Sequence, residues 1–321
     1  DLHTVDRLNE RLRRGEFRNI VQESERAYEE DIDTAAQLIA DRQDTIKIVI
    51  IAGPSSSGKT TTTLKLGERL SKIGLSLVTL NVDNYFWDLE LHPRDEFGDY
   101  DFETPQALDL ELINRHLIDL IRGNEVQIPY YDFKTSRRHD NVTPMRLGPN
   151  DIILIDSLHG LYPTMTQDID DEQQFQLYIE TLLQMEDPSG RMIRWTDLRL
   201  MRRMVRDERH RSYDPRRTLE HWHYVRSSEM RNIIPYAGTT DYIINGALSY
   251  ELPVMRRRLL EGFAQWAKDY AGDALRVDAY KRARRLHTLL QAVAPIEAED
   301  ELAIPATSHF REFIGGSQYE Y

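Results

Sequence analysis

Eight consecutive residues, Gly53-Pro54-Ser55-Ser56-Ser57-Gly58-Lys59-Thr60, fit the pattern G-x-x-x-x-G-K-[ST]. Each residue type has a physical task in such a loop. Glycines let the backbone wrap closely, so that successive N–H groups along Ser55, Ser56 and Ser57 can point at phosphate oxygens. A helix beginning at Lys59 adds its positive N-terminal dipole. The Lys59 ammonium can reach the β- and γ-phosphates, and the Thr60 hydroxyl is placed to hold Mg²⁺. The motif predicts a site for ATP or GTP together with Mg²⁺.

Moving a phosphoryl group onto a hydroxyl needs three further parts: a base near the acceptor, a second acid for the metal, and positive charge over the γ-phosphate. Asp83 closes a predicted strand and can take the acceptor proton; Asp156 closes another, in the position of an acid aimed at Mg²⁺. Arg199, Arg202, Arg203, Arg206 and Arg209 recur at helical spacing, with Leu198, Met201 and Val205 on another face. One stripe is expected to pack. The other is expected to present guanidinium groups as a lid that grips phosphate and excludes water. The plainer alternative is a solvated face paired with Asp197, Asp207 and Glu208.

Other loop proteins of this kind fit less well. The chain has no Asn-Lys-x-Asp segment to read guanine and no Leu-Ser-Gly-Gly signature. Asp95-Glu-Phe-Gly98 matches D-x-x-G but follows no apolar strand. A switch or motor is therefore the weaker class.

These residues require a scaffold that delivers them to one edge. Lys47–Ala52 is a continuous apolar run rich in β-branched residues, as expected of a buried parallel strand. Further strands are predicted at 75–82, 151–156, 175–179 and 241–245, and helices at 60–73 and 108–121, closed by Gly74 and Gly123. Strands alternating with helices predict a three-layer α/β/α fold around a mainly parallel sheet. Two long helices, near 254–270 and 274–293, should end it. The expected organisation is a helical arm or linker at 1–44, a P-loop domain at 45–295, and an irregular tail at 296–321 packed upon it.

Bulk properties narrow the class. With 40% apolar and 30% charged residues, the chain is ordinary for a folded soluble protein. Zero cysteines exclude disulfides and thiolate chemistry and fit a cytoplasmic location. A net charge of −13 argues against nucleic acid as a partner, and no apolar run is long enough for a membrane helix. Homo-oligomerisation is left open. His221 and His223, two apart, diverge on a helix and do not suggest a metal site. The Asn141-Val-Thr143 sequon lacks a secretion signal and reads as chance.

In sum these segments resemble the phosphoribulokinase/uridine kinase family, closest to the bacterial uridine kinase-like proteins. The likeness runs from about 46 to 315. It rests on the P-loop with Thr61 and Thr62, Val82-Asp-Asn-Tyr85, His92-Pro93, Gly98-Asp-Tyr-Asp-Phe-Glu103, Pro105–Asp109, Val126–Phe133, Asp197–Asp207, Tyr250–Pro253 and Phe310–Ser317. The resemblance implies ATP-dependent phosphorylation of a hydroxyl, often the 5′-hydroxyl of uridine or cytidine. It implies that the cofactor site extends to Thr61, that Asp83 is the base, that Phe86, Phe102, Glu103 and Tyr131 line the acceptor pocket, and that Arg199, Arg202 and Arg206 belong to the lid. Two departures stand out: Glu103 replaces the Asp that grips the sugar in uridine–cytidine kinases, and Lys134-Thr-Ser136 replaces the stretch with a base-reading His. Arg137 and Arg138, next in line, would suit a phosphorylated acceptor. The alternatives are therefore a kinase for a sugar, polyol or sugar phosphate, or a nucleotide-binding regulator without turnover. The first residue is Asp1 rather than Met, which fits a fragment or processed form. Longer relatives in the subgroup resemble fusions with an upstream portion similar to the N-terminal region of threonyl-tRNA synthetases.

Overall fold

The computed structural model describes residues 2–94, 100–211 and 214–320. Asp95–Gly98, the D-x-x-G match, lies outside the described residues. The chain begins with α1 (Val5–Arg13), capped by the Thr4 hydroxyl, and α2 (Phe17–Ala40). Next come β1 (Ile48–Ala52), α3 (Lys59–Lys72), β2 (Ser76–Thr79), α4 (Leu110–Ile121), β3 (Val126–Asp132) and β4 (Arg137–Met145). Then follow β5 (Asp151–Asp156), β6 (Gln174–Glu180), α5 (Trp195–Arg211), α6 (Pro215–Asn232), β7 (Tyr242–Asn245), α7 (Glu251–Asp269), α8 (Val277–Ala292) and the short α9 (Arg311–Ile314).

Five strands form one parallel sheet in the order β2-β5-β1-β6-β7. Strand β1 sits in the centre with all five residues buried, as its unbroken apolar run requires. Its side chains alternate between two cores. Val49 and Ile51 join α2, α3, α5, α7 and α8, whereas Ile48, Ile50 and Ala52 join the layer of α4 and the β3–β4 hairpin. The sheet is thus covered on both faces, and the fold is the three-layer P-loop class.

One strand expectation needs correction, and two further features fill out the fold. The strand predicted at 75–82 ends at Thr79; the chain then forms a 3₁₀ turn, Val82–Tyr85, whose entry is capped when the Asp83 N–H donates to Asn81 Oδ1 at 3.0 Å. Strands β3 and β4 form an antiparallel hairpin that the periodicity did not suggest. The C-terminal stretch is irregular through most of its length, yet Phe310 and Phe313 are fully buried in the core shared with α2. Among the described residues no helix is long and apolar enough to cross a membrane.

Candidate active site

The loop between β1 and α3 is wedged on two sides. A Cβ on Gly53 would lie 2.4 Å from the Ile179 carbonyl oxygen of β6, and one on Gly58 would lie 2.8 Å from the His309 ring. Gly58 also has φ +101° and Ser56 φ +63°. Only glycine fits both glycine positions: one lacks space, and the other also lacks an ordinary backbone conformation.

The carbonyl side of this loop is held by the arginine helix. Arg199 Nη1 donates to Ser55 O at 3.2 Å, and Arg202 Nη1 donates to Ser56 O at 3.3 Å and Ser57 O at 3.1 Å. Both arginines are fully buried. Arg199 pairs with Glu180 at 2.8 Å and with Glu229 at 2.6 Å; Arg202 pairs with Glu251 at 2.6 Å. The expected stripe of presented guanidinium groups is therefore corrected for these two: buried carboxylates have drawn them inward, because a buried charge must be paired. Arg203 and Arg206 remain partly exposed, and both lie within 4 Å of Asp207. Arg209 lies against Gly315 of the C-terminal stretch.

At the opposite end of α3's first turn, Lys59 Nζ is 3.1 Å from Asp156 Oδ1, and Thr63 Oγ1 donates to Asp156 Oδ2 at 3.3 Å. Thr60 is exposed. Solvent reaches Asp83, yet the protein around it desolvates the carboxyl and pushes its pKa above the usual aspartate range. The Lys59 charge opposes that rise and the Asp156 charge adds to it. Lys59, Asp83 and Asp156 therefore share one electrostatic environment at the carboxyl edge of the sheet, where open α/β sheets bind ligands.

Beyond Asp83 an aromatic group assembles. Phe86 meets His92, Phe102, Tyr131 and Phe133, with ring centroids 5.5 to 6.0 Å apart. Tyr131 is buried, whereas Phe102 is 41% exposed. Glu103 is half-buried and its backbone is braced by α6: Ser228 Oγ and Asn232 Nδ2 both donate to Glu103 O. Burial pushes its carboxyl up; Arg203 opposes this, while Glu229 and Asp101 add to it. Arg137 is not drawn into this group. It is exposed and lies 3.7 Å from Asp88 and 3.3 Å from Glu90, and Arg138 pairs with Asp109 and Asp140.

Residues that the motif reading left out also converge here. Thr61 Oγ1 donates to Glu312 Oε2 at 3.2 Å, and the His309 Nε2 edge contacts Gly246 O and Arg202 Nη2. The family-like segment Phe310–Ser317 was visible in the sequence, but nothing local tied it to the P-loop. Glu251 lies in the family-like segment Tyr250–Pro253, but nothing in the sequence marked it, Glu180 or Glu229 as counter-ions of the arginines.

Comparison with known proteins agrees with this architecture. A family model described as "Phosphoribulokinase / Uridine kinase family" matches residues 48–250. A uridine kinase of Bacillus pumilus (strain SAFR-032) is 31% identical over 169 residues, covering 52% of this chain and 71% of that protein. A uridine kinase of Staphylococcus aureus (strain JH9) is 32% identical over 169 residues, covering 52% and 72%. Among solved structures, a D-glycerate 3-kinase from Cryptococcus neoformans overlays with a TM-score of 0.34 at 15% identity, covering 83% of this chain and 90% of that one. With its parallel sheet and P-loop in register with a family match over most of its length, this chain belongs to the phosphoribulokinase/uridine kinase family of kinases.

Proposed function

We propose that the chain is an ATP- and Mg²⁺-dependent kinase acting in the cytoplasm, and that its acceptor is a nucleoside, uridine or cytidine, phosphorylated at the 5′-hydroxyl. The observation that carries this reading is the grouping of Lys59, Asp156 and Asp83 at the mouth of the P-loop. A switch needs the first two but has no use for a third carboxylate at the acceptor position. The names of the relatives support the acceptor, as does a pocket of aromatic rings beside a carboxylate: a flat base stacks on the rings and Glu103 accepts hydrogen bonds from sugar hydroxyls.

In this reading Asp83 takes the proton of the acceptor hydroxyl. The freed oxygen attacks the γ-phosphorus of ATP in line, the bond to the β–γ bridging oxygen breaks, and ADP leaves. Lys59 and the partly exposed Arg203 and Arg206 offset the charge spread over the transferring group. Arg199 and Arg202 act from behind, by fixing the loop. The donor set fits a divalent cation: Thr60 and Asp156 supply oxygen, and among the described residues no three acidic or imidazole side chains gather into a closed metal cage. Mg²⁺ suits such a site because it keeps waters and phosphate oxygens as ligands, and it would supply charge neutralisation on the phosphates.

The test is ADP release from Mg²⁺-ATP across nucleosides, pentoses, polyols and their phosphates. Turnover confined to pyrimidine nucleosides supports the proposal. Turnover confined to sugars or sugar phosphates replaces the acceptor, and release independent of any acceptor points to a regulator.

A further inference from the structure

A cavity of about 620 Å³ opens between the segment that leads into α5 and the helix α8. One wall is a tight turn, in which Asp187 Oδ1 accepts from the Ser189 N–H at 2.8 Å and the Arg191 N–H at 3.2 Å. A backbone bridge between Glu186 and Met192 closes this turn. The other wall is one stripe of α8: Lys281, Arg284, Arg285 and Thr288 recur at i, i+3, i+4 and i+7 and so share a face. Met192, Ile193, Leu289 and Ala292 add apolar surface. The cavity shares no lining residue with the P-loop, the Lys59–Asp156 pair or the aromatic group.

Its charge is one-sided. Arg191, Arg194, Lys281, Arg284 and Arg285 line it, against only two carboxylates, Asp187 and Asp197. Both carboxylates are committed: Arg285 grips Asp197 with two bonds, at 2.7 and 2.6 Å, and Arg191 stands 3.8 Å from Asp187. Among the described residues, Arg194, Lys281 and Arg284 have no carboxylate within 4 Å, and all three are exposed. Arg284 leans over the Tyr280 ring, 5.5 Å from its centroid, which leaves its charge intact. Composition does not force this grouping, because the chain has 54 acidic side chains for 41 Lys and Arg. Like charges in one recess repel, and a bound anion relieves that repulsion.

The lining also says what kind of anion fits. Guanidinium forks match phosphate oxygens, and a dianionic phosphate offsets more of this charge than a single carboxylate. The volume is that of a small-molecule site, about 300–1,000 Å³, and far exceeds what a bare ion fills. We propose that this cavity is a second ligand site of the chain, for a soluble phosphate monoester carried on an apolar body. The inference does not use the kinase reading, so the two stand or fall separately.

The test follows the Met192 methyl resonance in full chain labelled at the methionine methyls, assigned through Met192→Leu. Hexyl phosphate should move it saturably. Inorganic phosphate and hexanol, each lacking half of the ligand, should bind at least about tenfold more weakly. Lys281→Ala/Arg284→Ala removes two exposed charges and should weaken hexyl phosphate at least about tenfold, whereas Lys59→Ala at the P-loop should leave its affinity unchanged. If the double variant does not fold, Lys281→Gln alone should weaken it about threefold or more. No saturable shift in the millimolar range, equal binding of inorganic phosphate or hexanol, or an affinity that ignores the α8 charges overturns the proposal. Vesicles containing phosphatidic acid should not sediment the protein. Sedimentation that depends on Lys281 and Arg284 would make the occupant a lipid headgroup and overturn the soluble ligand.

Discussion

Arg202 and Glu251 form a fully buried, two-pronged ion pair, with Nε to Oε2 at 2.7 Å and Nη2 to Oε1 at 2.6 Å, and the remaining guanidinium nitrogen reaches the Ser56 and Ser57 carbonyls. One side chain thus joins the start of α7 to the P-loop. Removing one partner of such a pair leaves the other charge buried without compensation, which costs about 3–5 kcal/mol. Glu251→Ala should lower the urea unfolding free energy by that amount. It should also weaken nucleotide binding, because the arginine that holds two loop carbonyls loses its anchor. Arg202→Lys should fail as well, since an ammonium cannot span a carboxylate and two carbonyls as the planar fork does. Unfolding free energies within about 1 kcal/mol of wild type in both variants would show that the pair is not what secures the loop.

Asp83 yields a prediction in which activity and stability move in opposite directions. Its pKa is raised, chiefly by desolvation. The carboxylate that accepts a proton exists only above that raised value, so kcat/KM should fall along an acidic limb displaced above the ordinary aspartate value of about 3.9. For stability the sign is reversed. The folded state holds this proton more tightly than the unfolded state, so destabilisation sets in as pH rises through the unfolded value and is complete above the folded one. Asp83→Asn should therefore cut turnover by on the order of 10²–10⁴-fold while leaving the protein at least as stable at pH 7. Turnover near the wild-type rate would remove Asp83 from the role of base.

The parts of this molecule that could be read from the sequence are those set by neighbours along the chain. Strand β1, the loop and α3 form one continuous stretch, and each announces itself by composition: β-branched residues, then glycines and serines, then Lys-Thr at a helix start. Strand β4 could not be seen because Arg137–Met145 is mostly polar and largely exposed; it forms by backbone pairing with β3, with Arg138 tied to Asp109 and Asp88. The orientation of Arg199 and Arg202 was hidden for another reason. Their carboxylate partners Glu229 and Glu251 lie 30 and 49 residues further on, whereas the acids nearby in sequence suggested a solvated stripe. Of those nearby acids, Asp197 is taken by Arg285 of α8 instead.

The aromatic group separates a scaffold residue from a contact residue. Phe86 is buried against four other rings, so Phe86→Ala should cost about 3–5 kcal/mol through the cavity it leaves. Phe102 keeps 41% of its surface exposed and loses little on truncation. If a base stacks here, Phe102→Ala should raise the acceptor KM by about three- to tenfold with thermal stability nearly unchanged, as expected for a ring pair worth roughly 0.5–1.5 kcal/mol. An unchanged KM in a stable Phe102→Ala protein would place the base elsewhere.

Glu312 connects the C-terminal stretch to the nucleotide side of the site. It accepts from the Thr61 hydroxyl at 3.2 Å and is 9% exposed, and burial pushes its carboxyl up while Arg206, Thr61 and Lys59 oppose that rise. An acid whose charged form burial disfavours, set against the first turn of α3, is suited to orienting Thr61. Glu312→Gln keeps the accepting oxygen and should change the KM for ATP by less than about threefold. Glu312→Ala removes it and should raise that KM by about tenfold, consistent with loss of one buried hydrogen bond at roughly 1–1.5 kcal/mol. The acceptor KM should not move in either variant, because Glu312 contacts the P-loop helix and not the aromatic group. Should acceptor and ATP constants rise together, Glu312 would be holding the fold as a whole, and the C-terminal stretch would be a clamp on the core and no part of the nucleotide site.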